Sequence, residues 1–241
     1  MNLERFSRNI LLNEIDISGQ QKICNASVLC VGSGGLAAFV LPLLVASGVK
    51  KLCIIDYDTV MISNLPRQTI FKDADIGKLK VEVAKAFLQE RSLACEITVI
   101  NDNHEFTKNV IDNYDCIVDL TDSLESRLFC NNLALHKKKP FFTGAAQGFI
   151  GHVYSFANHL NEFPCYECLF GNIKDVGQTC ENSGVFSPIV EIVGGFIASN
   201  ILKYFTGISL DFSQFLFLDL LGNNRSIKMI KDLQCACCKK L

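Results

Sequence analysis

No excess of either charge marks this 241-residue sequence: 23 lysines and arginines stand against 25 aspartates and glutamates, a formal net charge of −2. Without a basic field, nucleic acid is not an expected partner. No unbroken apolar core opens the chain either. The amino-terminal stretch MNLERFSRNILLNEID carries charges at Glu4, Arg5 and Arg8, which argues against a signal peptide. The most apolar segments, 36–49 and 184–202, do not read as membrane spans: the first is too short, and the second is broken by Glu191 and by the Gly194, Gly195 pair. Both are expected as buried helices, with no membrane partner. Internal repeats, low-complexity tracts and a clear linker are also missing, so residues 1–241 are expected to form one domain. Histidine is sparse, and His104, His136, His152 and His159 form no recognisable metal or triad spacing.

Cysteine, by contrast, is abundant, with twelve in the chain. That number would suggest disulfides in a secreted protein. With no export signal in view, a cytoplasmic and reducing location is expected, which leaves free thiols, metal ligands or a reactive cysteine. Hydrophobic residues at 49% against 20% charged place the sequence among globular proteins, with ample chain for one core.

Strand-like runs at 27–31, 51–56, 96–101, 115–119 and 140–143 alternate with helical patterns at 34–47, 77–91, 107–113 and 124–137. Such alternation predicts an α/β fold built on a Rossmann-like, mostly parallel sheet covered on both faces. Beyond Gly148 the pattern changes to strands (HVYSFA, FLFLDL and RSIKMI) around a long apolar helix at 188–204. These C-terminal strands read as an antiparallel extension of the same sheet. Pro42 falls beyond the first turn of its helix, where it removes a hydrogen bond at a cost of roughly 3 kcal/mol, so a kink is expected there.

The stretch VLCVGSGGLAAF, residues 28–39, runs from a strand through a glycine turn into a helix. Gly32, Gly34, Gly35 and Ala37 fit G-x-G-x-x-G/A, in which the glycines let the backbone approach a phosphate and the helix start supplies N–H donors. Asp56 ends the next strand, 24 residues after Gly32, where a carboxylate accepts from ribose hydroxyls. An NAD-dependent oxidoreductase would show the same features, so the turn indicates a nucleotide and is silent on the reaction.

The loop DYDTVMISNLPRQTIF supplies Asn64, Arg67 and Gln68, and Lys80 follows early in a helix. Hydride transfer has little need of such cations beyond a pyrophosphate clamp. Attack on the α-phosphate of ATP, with loss of pyrophosphate, needs them to stabilise developing charge. A solvated arginine and an amphipathic-helix lysine are the bland alternatives. Asp122, in CIVDLTDSLESR, falls at a strand's carboxyl end, where a carboxylate can hold Mg²⁺ against phosphates. With Glu125 it also forms a helix-capping pattern, and one carboxylate can fill both roles.

Taken together, RFSRNILL, GQQKI, VLCVGSGGLA, IIDYDTVMISNLPRQTIF, GKLKVEVAK, DLTDSLESRLFCN, GAAQGFIGHVYSF, PCYECLF and TCENSGVFSP resemble the ThiF/MoeB/HesA family of adenylyltransferases, relatives of ubiquitin-activating enzymes. The resemblance runs nearly end to end. It implies MgATP-dependent adenylation of the terminal glycine of a ubiquitin-like sulfur carrier ending in Gly-Gly, of the ThiS or MoaD type, for thiamine or molybdopterin synthesis. It also implies a nucleotide-binding half over 1–145 and a carrier-binding, zinc-bearing half over 146–241. Gly32, Gly34, Gly35, Asp56, Asn64, Arg67, Lys80 and Ser123 match the ATP-binding positions, and Asp122 the magnesium position. Arg8 matches an arginine that reaches the partner subunit's nucleotide in family homodimers, and a cysteine desulfurase is a conceivable sulfur donor. Ser33, Ala37, Leu120 and Ser123 depart from the common pattern; Ser123 replaces an asparagine and loses an amide contact. An NAD-dependent oxidoreductase and a non-catalytic carrier-binding scaffold are the rival readings.

Cys165 and Cys168 form one C-x-x-C pair and Cys235 and Cys238 another, with 66 residues between them. Four thiolates make a closed structural zinc site, although by spacing alone a redox or incidental role stays open. The family resemblance favours zinc stapling the chain end to the body, with Cys237 ranked below Cys235 as a ligand. Cys180, in QTCENSGV, matches a cysteine that links covalently to the activated carrier in some family members; a plain buried or loop thiol is the alternative.

Overall fold

Valine, isoleucine, leucine and cysteine fill β1 (Ser27–Val31, SVLCV) and β2 (Lys51–Ile55, KLCII), and neither strand alternates with polar residues. Such strands are buried on both faces, as parallel strands under crossover helices must be. In the structure, a computed structural model describing residues 2–92, 94–160, 162–171 and 184–240, the two strands lie side by side and parallel, with Ser27 opposite Lys51 and Val31 opposite Ile55. β3 (Glu96–Ile100) extends the sheet beyond β2, while β4 (Cys116–Asp119) and β5 (Phe141–Gln147) extend it beyond β1, all parallel. β6 (Ile150–Phe156), β7 (Gln214–Asp219) and β8 (Arg225–Lys228) then add antiparallel strands. The order is β3-β2-β1-β4-β5-β6-β7-β8. The fold is therefore the α/β one expected, a parallel core with an antiparallel C-terminal extension.

The chain leaves β1 for β2 on one side and later returns from β3 to β4 on the other. That reversal opens a crevice at the carboxyl ends of β1 and β4, where open α/β sheets bind ligands. Alternate residues of the same strands build the two cores. Val28, Cys30, Leu52, Ile54 and Val118 pack under α3 (Ala37–Ser47), α4 (Lys80–Gln89) and α8 (Ser187–Thr206). Leu29, Val31, Cys53, Ile55 and Ile117 face the opposite layer, which includes α6 (Leu124–His136) and α7 (Tyr166–Phe170). Among the described residues, three short α-helices complete the order: α1 (Ser7–Ile10), α2 (Asp16–Ile23) and α5 (Thr107–Val110).

Pro42 lies inside α3, which runs on through it to a left-handed cap at Gly48, φ 97°. The long apolar helix expected at 188–204 is α8, whose Ile189, Val193, Ile197 and Ile201 recur every fourth residue and are fully buried. Gly194 is there for close approach: a Cβ would stand 2.9 Å from Phe39 Cβ and 3.2 Å from the Leu36 carbonyl oxygen, so only glycine lets α8 lie against the start of α3. By length and composition α8 could cross a membrane; here its apolar stripe packs on α3, β5 and β6.

Candidate active site

Gly32 closes β1 in the left-handed region, φ 95°, and a Cβ there would lie 3.0 Å from both the Leu120 carbonyl carbon and the Thr121 nitrogen. The ends of β1 and β4 can touch only because this residue is glycine. Helical bonding begins directly afterwards, with the Ala38 N–H donating to the Gly34 carbonyl at 3.1 Å. The orphan N–H groups of the helix start thus face a cavity of about 850 Å³ bordered by Gly32, Gly34, Gly35 and Leu36.

Asp56 is anchored by two backbone donors. The Ser33 N–H reaches its Oδ2 at 2.6 Å and the Asp58 N–H its Oδ1 at 2.7 Å. Burial pushes the Asp56 carboxyl up from its ordinary range, against the pull of those bonds and of Lys80. Each oxygen keeps spare acceptor capacity for a ligand hydroxyl. Lys80, the first residue of α4, is only 6% exposed, and its Nζ lies 2.8 Å from Asp58 Oδ2. Asn64 is buried in a 3₁₀ turn, its Oδ1 accepting the Met61 N–H at 3.1 Å. Arg67 is half-buried, with Nη1 donating to the Ser63 carbonyl at 2.8 Å.

Opposite these residues, the β4 end is tied down from within. Asp119 is fully buried and accepts the Thr121 N–H (3.1 Å), the Thr121 hydroxyl (2.9 Å) and the Ser126 hydroxyl (2.5 Å). Burial pushes its carboxyl up, and the Arg127 guanidinium, with Nε 3.9 Å away, opposes that shift. Arg127 also donates from Nη2 to the Thr121 carbonyl at 2.8 Å. The N-cap of α6 is Ser123, whose hydroxyl accepts the Ser126 N–H at 3.2 Å. This overturns the capping reading of Asp122. Its carboxylate is exposed on the cavity wall and has no hydrogen-bond or ion-pair partner among the described residues.

Gly32, Gly34, Gly35, Asp56, Asn64, Arg67, Lys80, Asp122 and Ser123 thus border one cavity. Arg8 does not join them and sits exposed on α1. Cys180 lies outside the described residues. Asp58, Gln68 and Arg127 share the same wall without having been singled out as site residues. Helical spacing from Ser123 through Arg127 was the available signal for the last. Counting carboxylates Asp56, Asp58, Asp102, Glu105, Asp122 and Glu125 against Arg67, Lys80 and Arg127, the wall has three more acids than cations.

The second constellation is the cysteine cluster. The Sγ atoms of Cys165, Cys168, Cys235 and Cys238 all lie within 4.8 Å of one another. Cys165 is 3.7 Å from both Cys168 and Cys235, and Cys168 is 3.5 Å from Cys238. A zinc ion with S ligands at about 2.3 Å implies tetrahedral edges of about 3.8 Å, whereas a disulfide would need about 2.05 Å. The four thiols therefore fit a tetrahedral cation and none is paired as a disulfide. Burial and the neighbouring thiols push the Cys238 thiol up to about 12, a cost that a bound cation would offset.

A ThiF family model matches residues 6–238. The adenylyltransferase and sulfurtransferase MOCS3 of Aedes aegypti is 33% identical over 247 residues, covering 98% of this chain and 55% of the relative. The chain spans about half the length of the first curated relatives it matches. The sulfur carrier protein adenylyltransferase of Thermus thermophilus is 32% identical over 245 residues, covering 98% of this chain and 90% of the relative. A crystal structure of E. coli MccB with ATP superposes with a TM-score of 0.83 at 23% identity, over 98% of this chain and 75% of the other, and shows the shared fold.

Proposed function

The chain belongs to the ThiF family, and on that premise we propose that it is an adenylyltransferase that activates the C-terminal glycine of a ubiquitin-like sulfur carrier ending in Gly-Gly, using ATP. The observation that carries this reading is the facing arrangement at the crevice: buried Lys80 and half-buried Arg67 on one wall, unpartnered Asp122 on the other. A wall with more acids than cations does not by itself accept a triphosphate; a divalent cation and a further positive group supply the difference. Asp122 is the carboxylate that would hold magnesium, which would supply positive charge against the phosphates. Arg8 of the partner subunit in a homodimer is the further positive group, since α1 carries it away from its own site.

A carboxylate oxygen of the terminal glycine attacks the α-phosphorus. That O–P bond forms as the bond from phosphorus to the bridging oxygen breaks, and the electron pair leaves with pyrophosphate. The attacking group is already an anion, so no side chain need remove a proton. Catalysis is positioning and electrostatics: Arg67 and Lys80 hold the phosphates, and the glycine turn and Asp56 hold the nucleotide. The four thiols hold zinc as a closed structural site, and Cys180 serves only later sulfur transfer, with a cysteine desulfurase as a fitting donor. The carrier is of the ThiS or MoaD type, for thiamine or molybdopterin synthesis, and the setting is the cytoplasm.

Carrier-dependent exchange of labelled pyrophosphate into ATP tests the reading, run with each Gly-Gly carrier encoded in the same genome. Exchange with one carrier is expected and identifies it. No exchange, together with thermal stabilisation by NAD and none by MgATP, would replace the reading with an oxidoreductase.

A further inference from the structure

One polar side chain of the cavity has no role in that scheme. Gln68 is 3% exposed, and its backbone is fixed by its N–H donating to the Asn64 carbonyl at 3.0 Å. Its Oε1 is enclosed and has no hydrogen-bond partner, and the carboxamide makes no other hydrogen bond among the described residues. Buried amides are ordinarily paired, because an unpaired one costs stability. Gln68 also borders the cavity, with Nε2 3.7 Å from the place a Cβ on Gly34 would occupy. Arg67 stands at the same remove over Gly35, its Cγ 3.8 Å from the corresponding point. The amide therefore overhangs the phosphate end of the crevice, beside a wall that continues as Ala145, Ala146, Val185 and Val190.

Phosphate oxygens only accept hydrogen bonds, so a triphosphate offers nothing to Oε1. Lys80 and Arg67 donate to Asp58 and to the Ser63 carbonyl, keeping their remaining donors for the phosphates, and neither donates to Oε1. Ribose hydroxyls belong to Asp56, at the end of β2. The reactant that brings both an N–H and an acceptor to the phosphate end is the terminal residue of the carrier, whose amide N–H lies two bonds from its carboxylate carbon. We propose that Gln68 clamps the carrier's terminal glycine, Oε1 accepting its amide N–H and Nε2 donating to its carboxylate. The clamp aims the carboxylate at the α-phosphate over Gly34. This rests on the adenylation reading above.

Gln68→Leu removes both contacts and replaces an unpaired buried amide with an apolar side chain of similar size, so the apo protein melts at or above the wild-type temperature. In exchange assays at saturating MgATP, KM for the carrier rises about 10–100-fold, while KM for ATP stays within about two-fold. A carrier ending in glycolate, with the terminal amide N–H replaced by an ester oxygen, isolates the Oε1 contact. Wild type loses about ten-fold in kcat/KM on that carrier and Gln68→Leu less than about two-fold, a coupled pair. Gln68→Glu keeps the acceptor but sets a charge against the carboxylate, so it loses more than Gln68→Leu while still discriminating the ester. Equal ester losses in wild type and Gln68→Leu, or a Gln68→Leu defect confined to KM for ATP, overturns the clamp. Absence of wild-type exchange with any Gly-Gly carrier overturns the adenylation reading, and the clamp with it.

Discussion

Adjacent residues at the start of α6 separate stability from chemistry. Ser123 caps the helix through a 3.2 Å bond from the Ser126 N–H, whereas Asp122 is exposed and has no hydrogen-bond or ion-pair partner among the described residues. Removing an N-cap hydroxyl costs about 0.5–2 kcal/mol, and a chain of this size loses about 2–4 °C per kcal/mol, so Ser123→Ala should melt about 1–8 °C lower. Asp122→Ala removes no bond and should stay within about 0.5 kcal/mol of wild type, a shift of at most about 2 °C. Pyrophosphate exchange should invert the ranking. Asp122→Ala should lose it by about 100-fold or more, because the carboxylate proposed to hold magnesium is gone, while Ser123→Ala keeps it within about ten-fold. Calorimetry and carrier-dependent exchange on both proteins decide the matter. A melting loss in Asp122→Ala equal to that of Ser123→Ala would restore the capping role, and near-normal exchange in folded Asp122→Ala would remove Asp122 from the phosphate site.

If Arg8 serves the neighbouring subunit, Arg8→Ala and Asp122→Ala proteins are each inactive alone, and mixed dimers recover exchange because one of their two sites holds both intact residues; no recovery after demonstrated subunit exchange sinks the trans arrangement. Cys168→Ser and Cys238→Ser should lose zinc by elemental analysis and melt about 5 °C lower or more. Cys180→Ser should keep one zinc per chain, near-normal melting and full exchange; zinc loss there would make Cys180 a ligand.

Most of the sheet was legible because parallel strands buried on both faces read as plain apolar runs, such as VLCV and LCII. Helix ends were less so. The pattern 77–91 became α4, Lys80–Gln89, because Gly77 takes a left-handed turn, φ 86°, before Leu79 opens the helix. The glycine turn, Asp56 and Asp122 could be placed at the carboxyl ends of their strands from the strand–helix alternation alone. Burial could not be read: Lys80 on an amphipathic helix looks solvated in sequence, and only the fold brings Asp58 against it. Capping failed for a similar reason. Asp122 and Ser123 both suit an N-cap, and the choice between them turns on one residue of helical phase, fixed by the anchoring of Thr121 and Ser126 to buried Asp119.

The same helix connects the two constellations. Ser123 stands at the start of α6, Arg127 one turn on, and Asn131 one turn beyond that. Asn131 accepts the Tyr166 N–H at 3.0 Å on its Oδ1 and extends its Nδ2 to Cys237 Sγ at 3.8 Å. Tyr166 lies between Cys165 and Cys168, its ring packed edge-on against Phe141, Tyr154 and Phe156 and its hydroxyl beside the Arg127 guanidinium. Arg127 in turn holds the Thr121 carbonyl, one residue before Asp122. A closed tetrathiolate has no open position and so no part in the chemistry. The contacts that join the four thiols to the crevice run through Tyr166 and α6, so Cys168→Ser is expected to lose exchange along with any bound metal and Cys180→Ser to lose neither.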